Sequence, residues 1–152
     1  MSETIVRHAA AADAPAVIEL IKALADYERL DPPDAAAQSR FAADMASERP
    51  RFDAYLAECD GKTAGCTIVF ETYSSFLARP KLYIEDIFVL PEYRGRGVGR
   101  ALFEAMIEEA KQRDCGLMEW TALDWNAPAH QFYGKMGGRI LQAWQVYRLE
   151  IS

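Results

Sequence analysis

The sequence predicts a single α/β domain on a mixed sheet, and three observations carry that expectation. Its 152 residues suit one domain with an adequate core. Apolar residues recur with period two in some stretches and with helical spacing in others, which gives the order β-α-α-β-β-β-α-β-α-β-β. No internal repeat, low-complexity tract or linker-like run interrupts that order.

Residues 4–7, Thr-Ile-Val-Arg, form a short opening strand. A helix is expected from Ala12-Asp13, with Asp13 as its cap and Pro15 in the first turn, where the missing N–H costs little. Val17, Ile18, Leu20, Ile21, Leu24 and Ala25 supply its apolar stripe, and it ends at Tyr27-Glu28-Arg29 before the breaker Asp31-Pro32-Pro33. A second helix covers residues 35–47, with Phe41 and Met45 one turn apart on one face, and Pro50 stops it. Residues 52–59 alternate as a strand, Asp60-Gly61 signals a hairpin turn, and the return strand covers residues 63–72. A loop over residues 73–80 leads into the central strand. After the long helix described next, Asp114-Cys115-Gly116 makes a turn and residues 117–123 a further strand. A short helix over residues 126–136, capped by Asn126, ends at Gly137-Gly138, and strands over residues 139–141 and 144–151 complete the chain.

The stretch over residues 82–100 organises the rest. It begins as a strand rich in β-branched and aromatic side chains (Tyr83, Ile84, Ile87, Phe88, Val89), and Pro91 ends it because proline cannot donate to a ladder. Gly95, Gly97 and Gly99 then precede a helical segment starting at Val98, with Arg94, Arg96 and Arg100 around the same turn. Glycine allows close backbone approach, and a helix N-terminus offers unpaired N–H groups and partial positive charge. Strand, glycine turn and helix N-terminus make an anion cradle suited to a phosphate or pyrophosphate. It is not a P-loop, since no Gly-Lys-Ser or Gly-Lys-Thr occurs, and it does not fit the Gly-x-Gly-x-x-Gly dinucleotide spelling. Read alone, the turn is also consistent with a solvated basic helix cap.

Composition narrows the function classes. Half the residues are hydrophobic and 26% are charged, as in ordinary globular proteins. The net charge of −6 argues against nonspecific binding to nucleic acid or an acidic membrane and is compatible with a cationic substrate. No apolar run approaches the ~20 residues needed to span a bilayer. Arg7, His8 and Asp13 interrupt the N-terminus too early for a signal peptide. Cys59, Cys66 and Cys115 are isolated and odd in number, so they read as reduced thiols of a cytoplasmic protein. His8 and His130 are the only histidines, and no metal is expected.

Arg94-x-x-Gly97-x-Gly99 resembles the acetyl-CoA signature Gln/Arg-x-x-Gly-x-Gly/Ala of the GNAT family of N-acetyltransferases. The match continues through Glu85-Asp86-Ile87-Phe88-Val89 on one side and Asp124-Trp125-Asn126 with Phe132-Tyr133 on the other. These flanks are similar to the diamine (spermidine/spermine) and thialysine branch, and the likeness covers nearly the whole chain from Ile5. It implies a mixed, mostly antiparallel sheet flanked by about four helices, acetyl-CoA as co-substrate with no metal, and a homodimer. The apolar run over residues 144–149 is a candidate pairing strand for that dimer.

Acetyl transfer to an amine requires three things: a deprotonated nucleophile, a stabilised thioester oxygen and a proton for the departing thiolate. The resemblance assigns the amine proton to Glu85, through a water. Asp86 points to the opposite face if the strand is regular, although near a splayed sheet end either carboxylate can face the substrate. Tyr133 matches the family's general acid, a phenol protonated at neutral pH; by periodicity alone Phe132, Tyr133 and Met136 read as a core stripe. His130, one turn away, is an alternative acid. The resemblance further implies a backbone N–H near Phe88 or Val89 as the oxyanion donor. It places Arg94, Gly95, Arg96, Gly97, Val98, Gly99 and Arg100 around the pyrophosphate, Asn126 beside the CoA arm and Lys135 within reach of the phosphates. Tyr27 and Glu28 match substrate positions, and Glu28 with Glu85 or Asp86 would make an anionic pocket. The chain departs from the polyamine enzymes in carrying Phe76-Leu77 where they have a tryptophan and Gln142-Ala143-Trp144 in place of Glu-Gly-Trp. A small amine or amino acid is therefore as good a substrate reading as a polyamine. The cysteines lie outside the cradle, against an acyl-cysteine route. An acyl-CoA-binding sensor and a protein lysine or N-terminal acetyltransferase are the competing readings.

Overall fold

The computed structural model describes residues 3–151. Its strands are β1 (Thr4–His8), β2 (Asp53–Cys59), β3 (Lys62–Ser74), β4 (Arg79–Val89) and β5 (Leu117–Trp120); its helices are α1 (Ala14–Glu28), α2 (Ala35–Met45), α3 (Val98–Gln112) and α4 (Ala127–Lys135). The sheet order is β1-β2-β3-β4-β5, with β4–β5 parallel and every other pairing antiparallel. The mixed, mostly antiparallel sheet with four helices that the sequence implies is the one observed. The chain divides into two compact units, one through Thr121 and one from Ala122 onward.

Within the first unit, α1 and α2 cover one face of the sheet and α3 the other. Val17 and Leu20 of α1 pack with Leu56, Cys66, Ile68 and Phe88, and Phe41 and Met45 of α2 close over them. Val98 and Leu102 of α3 pack against Ala57, Cys59 and Ala64. Leu102, Leu56 and Val17 are fully buried, each contributing about 1.5–3 kcal/mol by leaving water. The Asp60-Gly61 turn forms as expected, with left-handed φ values of 51° and 80°.

Several boundaries differ from the sequence expectation. A 3₁₀ turn at Ala11–Asp13 precedes α1. Asp13 does not cap that helix; its carboxylate accepts from Ala10 N–H at 2.7 Å and grips Arg7 at 2.8 and 3.0 Å. α2 ends at Met45, and its cap is Asp34, which accepts from Ala37 N–H at 2.8 Å. The loop expected over residues 73–80 contracts to a tight turn, because β3 runs on to Ser74 and pairs with Arg79. Ser74 Oγ accepts from Leu77 N–H at 3.1 Å and Ala78 takes φ 52° to close it. β5 is four residues rather than seven, pairing with β4 only from Lys81–Leu117 to Ile84–Trp120.

In the second unit the two final strands are not formed; residues 138–141 and 144–151 carry no strand. Apolar residues at Trp144, Val146, Tyr147 and Leu149 mark the last of them in the sequence, yet these side chains are 76–90% exposed. A strand exists through the ladder it shares with a neighbour, and the five-stranded sheet takes none from this segment.

Candidate active site

The chemistry-bearing segment of β4 is displaced from regular pleating by one residue. On β3, Ile68 and Phe70 are two positions apart and share a face; their partners on β4, Asp86 and Tyr83, are three apart. Glu85 is the extra residue of this β-bulge. A regular strand would turn Glu85 and Asp86 to opposite faces, but both line one cavity of about 480 Å³ together with Ile21, Phe41, Arg51, Phe52, Ile68 and Phe70. Thr67, fully buried beside the bulge, donates its hydroxyl to Asp86 O at 2.8 Å and fixes the peptide there.

The electrostatics are those of an acidic pocket in apolar surroundings. Burial, then the charges of Glu85 and Glu28, push the Asp86 carboxyl up to about 7. Burial likewise raises the carboxyl of Glu28 at the end of α1. The structure thus brings Glu28, Glu85 and Asp86 within electrostatic reach of one another, and Asp86 holds or releases a proton near neutrality.

Beyond the bulge β4 turns toward the cradle. Leu90 N–H donates to Ala64 O at 2.8 Å, so by antiparallel alternation the Phe88 amide also faces β3 and the Val89 amide faces the other way. On that side β5 has already ended its pairing at Ile84. Of the two backbone donors read from the sequence, Val89 is the one directed to the open side of the strand. Phe88 instead contributes a buried ring beneath α1.

The cradle itself fits a pyrophosphate. Gly95 and Gly97 have φ 76° and 80°, and a Cβ at either would meet no atom within 4 Å, so the turn is left-handed and open. Gly97 caps α3 without any side-chain hydrogen bond. The first intrahelical bond is Ala101 N–H to Gly97 O, which leaves the Val98, Gly99 and Arg100 amides without helical acceptors. Val98 offers only its backbone, since its side chain is fully buried. The arginines are held by neighbours. Arg100 pairs with Glu104 at 2.7 Å, and Arg96 lies over the Tyr93 ring. Arg94 donates from Nε to Val89 O at 3.0 Å while its guanidinium stacks 4.8 Å from the Tyr27 ring and 5.4 Å from Phe88. Tyr27 and Arg94 therefore link the end of α1 to the carbonyl of Val89.

The remaining predicted residues belong to the second unit. Asn126 is buried and caps α4, accepting from Ala129 N–H at 3.3 Å. Tyr133 lies on α4 with its ring 5.5 Å from Phe132 in an edge-to-face pair, and Lys135 is in the last turn. His130 Nε2 bonds Leu123 O at 2.9 Å. A carbonyl only accepts, so that nitrogen carries the proton.

Sequence reasoning missed three features of this site. Arg51 had no signal beyond its charge. Thr67 lay inside an apolar strand, where a hydroxyl needs a partner. Gly65 lay in a strand interior, a known mark of close backbone approach; a Cβ there would meet Phe88 O at 2.5 Å. Among the described residues, no group of three or more His, Cys, Asp or Glu is placed to hold a metal ion.

The profile of the Acetyltransferase (GNAT) family matches residues 15–138. A thialysine N-epsilon-acetyltransferase from Sus scrofa is 31% identical over 99% of this chain and 94% of its own. An L-ornithine N5-acetyltransferase from Arabidopsis thaliana is 37% identical over 70% of this chain and 47% of its own. A crystal structure of a probable acetyltransferase superposes with a TM-score of 0.84 over 97% of this chain and 98% of that one, at 19% identity, a likeness of fold.

Proposed function

The chain belongs to the GNAT family of acetyltransferases, and from that premise we propose that it moves acetyl from acetyl-CoA directly to the primary amine of a small cationic substrate. The observation that carries this reading is the run of β4 itself. Its bulge turns Glu85 and Asp86 into one cavity, and five residues past Val89, at Arg94, the same chain enters an open anion cradle. An amine site and a phosphate site on one strand suit transfer between a cation and a phosphate-bearing acyl donor.

In this reading the Val98, Gly99 and Arg100 amides hold the pyrophosphate, with Gly95 and Gly97 allowing its approach and Arg96, Arg100 and Lys135 adding charge. Arg94 holds the strand, and Asn126 lies beside the CoA arm. Glu28, Glu85 and Asp86 attract the ammonium group, with Tyr27 beside them. Asp86 or Glu85 takes its proton, since an alkylammonium of pKa ~10.4 has no lone pair to attack with. The amine nitrogen bonds to the thioester carbon and gives up its second proton to water, the Val89 N–H stabilises the charge developing on oxygen, and the C–S bond breaks. Tyr133 donates a proton to the departing sulfur and regains one from solvent. The family profile spans both compact units, which supports treating the whole chain as one catalytic domain.

We also read the protein as cytoplasmic, metal-free and homodimeric, without nucleic-acid or membrane partners. Exposed apolar side chains at Trp144, Val146, Tyr147 and Leu149 support self-association. No helix among the described residues is long and apolar enough to cross a membrane.

The test is CoA release from acetyl-CoA against a panel of diamines, polyamines, amino acids and peptides, with wild type and Tyr133→Phe. Turnover of a small amine, lowered about 10²–10³-fold in kcat by the substitution, is the expected result. Tight CoA binding with no turnover would replace the enzyme by a sensor. Turnover of peptides alone would make the substrate a protein.

A further inference from the structure

The cavity that holds Glu85 and Asp86 is not acidic throughout. Arg51 lines it too, from the bend between α2 and β2, and is exposed at the surface. Its neighbour Phe52 anchors that bend, stacked on Phe41 of α2 with ring centroids 4.7 Å apart. Arg51 is paired with none of the described carboxylates. The charges that act on Asp86 are those of Glu85 and Glu28, and Arg51 is not among them. Arg51 thus shares the cavity lining with Glu85 and Asp86 without an ion pair to either, and Phe41, Phe52, Ile68 and Phe70 supply apolar lining beside these charged groups.

A cavity lined by two carboxylates, apolar side chains and an arginine suits a substrate that carries both an ammonium and a carboxylate group. We propose that Arg51 receives the carboxylate of an amino-acid substrate whose side-chain amine is directed at Glu85 and Asp86, and so selects amino acids with a terminal amine over the corresponding carboxylate-free diamines. This rests on the acetyltransferase reading above. Arginine suits the task because its planar fork bonds a carboxylate through two parallel N–H donors. The aliphatic chain between amine and carboxylate lies against the apolar lining. The α-ammonium group stays near the exposed mouth, where water solvates it. A diamine or polyamine presents a second ammonium where Arg51 stands and meets like charge instead.

Two matched pairs isolate the carboxylate: lysine against cadaverine, and ornithine against putrescine. Each pair differs only by that group. The assay measures kcat/KM for acetylation of each, and calorimetric binding of each to the CoA-loaded protein, in wild type, Arg51→Gln and Arg51→Glu. Wild type prefers the amino acid in each pair. Arg51→Gln loses about tenfold on lysine and ornithine, while cadaverine and putrescine, relieved of the like charge, lose nothing. Arg51→Glu reverses the preference toward cadaverine and putrescine, a gain that misfolding does not produce. Equal losses on both members of a pair, or no reversal in Arg51→Glu, overturn the role of Arg51. Absence of turnover in wild type refutes the catalytic reading alone, because the binding preference still decides the role of Arg51.

Discussion

Asp86 carries a cost that the fold accepts for the sake of the site, and replacing it by asparagine exposes that cost. Its carboxyl is raised from 3.8 to about 7 by burial and by the charges of Glu85 and Glu28. At ~1.36 kcal/mol per pH unit the rise is worth roughly 4 kcal/mol, and water at the cavity mouth reduces it to about 2–4 kcal/mol. The folded pKa lies above the unfolded one, so as pH rises past about 4 the unfolded chain releases its proton first. Stability therefore falls between pH ~4 and pH ~7 and is level above that. Asparagine keeps the shape and cannot ionise. Urea unfolding of wild type and Asp86→Asn between pH 4 and pH 8 should show the variant more stable by about 2–4 kcal/mol at pH 8. That difference should shrink toward zero at pH 4. Wild type should show a rise in kcat/KM for the amine through pH ~7, and the same substitution should remove that rise while lowering the plateau. A stability difference that does not vary with pH, or a variant less stable than wild type at pH 8, would refute the claim that Asp86 is held in an environment hostile to its charge.

Two glycines separate the demands of backbone from those of ligand. Gly97→Ala forces a side chain onto φ 80° but into open space, so urea unfolding should show a loss of only about 1–2 kcal/mol. The new methyl group stands where phosphate would approach, and KM for acetyl-CoA should rise about tenfold or more with kcat little changed. Gly65→Ala meets Phe88 O at 2.5 Å and Val89 Cα at 3.2 Å, both backbone atoms, so it should cost about 3 kcal/mol. By displacing the Val89 amide it should also lower kcat more than KM; a fully active, fully stable Gly65→Ala protein would mean that the close approach of β3 and β4 is not required.

The fold was legible where each element answers to a local rule. The stripe of α1, the Asp60-Gly61 turn and the cap at Asn126 all follow from residue type and spacing, and the structure contains them. What failed were elements defined by a partner. Residues 144–151 carry strand-forming side chains at Trp144, Val146, Tyr147, Leu149 and Ile151, but residue type does not state what would bury them. β5 stops at Trp120 although Ala122 and Leu123 are apolar, because its ladder with β4 extends only to Ile84. Asp13 illustrates the same limit at the level of one side chain. Its position suits a helix cap, yet Arg7 on the neighbouring strand offers a full charge at 2.8 Å and takes it.

The site was legible in its residue types but not in its orientation, and Glu85-Asp86 shows why. Two adjacent carboxylates on a strand read as one facing in and one facing out, which made the choice of proton acceptor look like a choice of face. The bulge removes that choice, because both line the same cavity. No residue spelled the bulge: it arises from a mismatch of one position between Phe70–Ile68 and Tyr83–Asp86, a relation between two strands that neither contains alone. Arg94 shows the converse. Its place in the glycine signature suggests a phosphate ligand, whereas its guanidinium stacks on Tyr27 and bonds Val89 O. A signature constrains which residue stands at a position, and more than one physical role satisfies it. Here the arginine ties the end of the helix that carries Glu28 to the carbonyl of Val89, so one side chain links α1 to the end of β4.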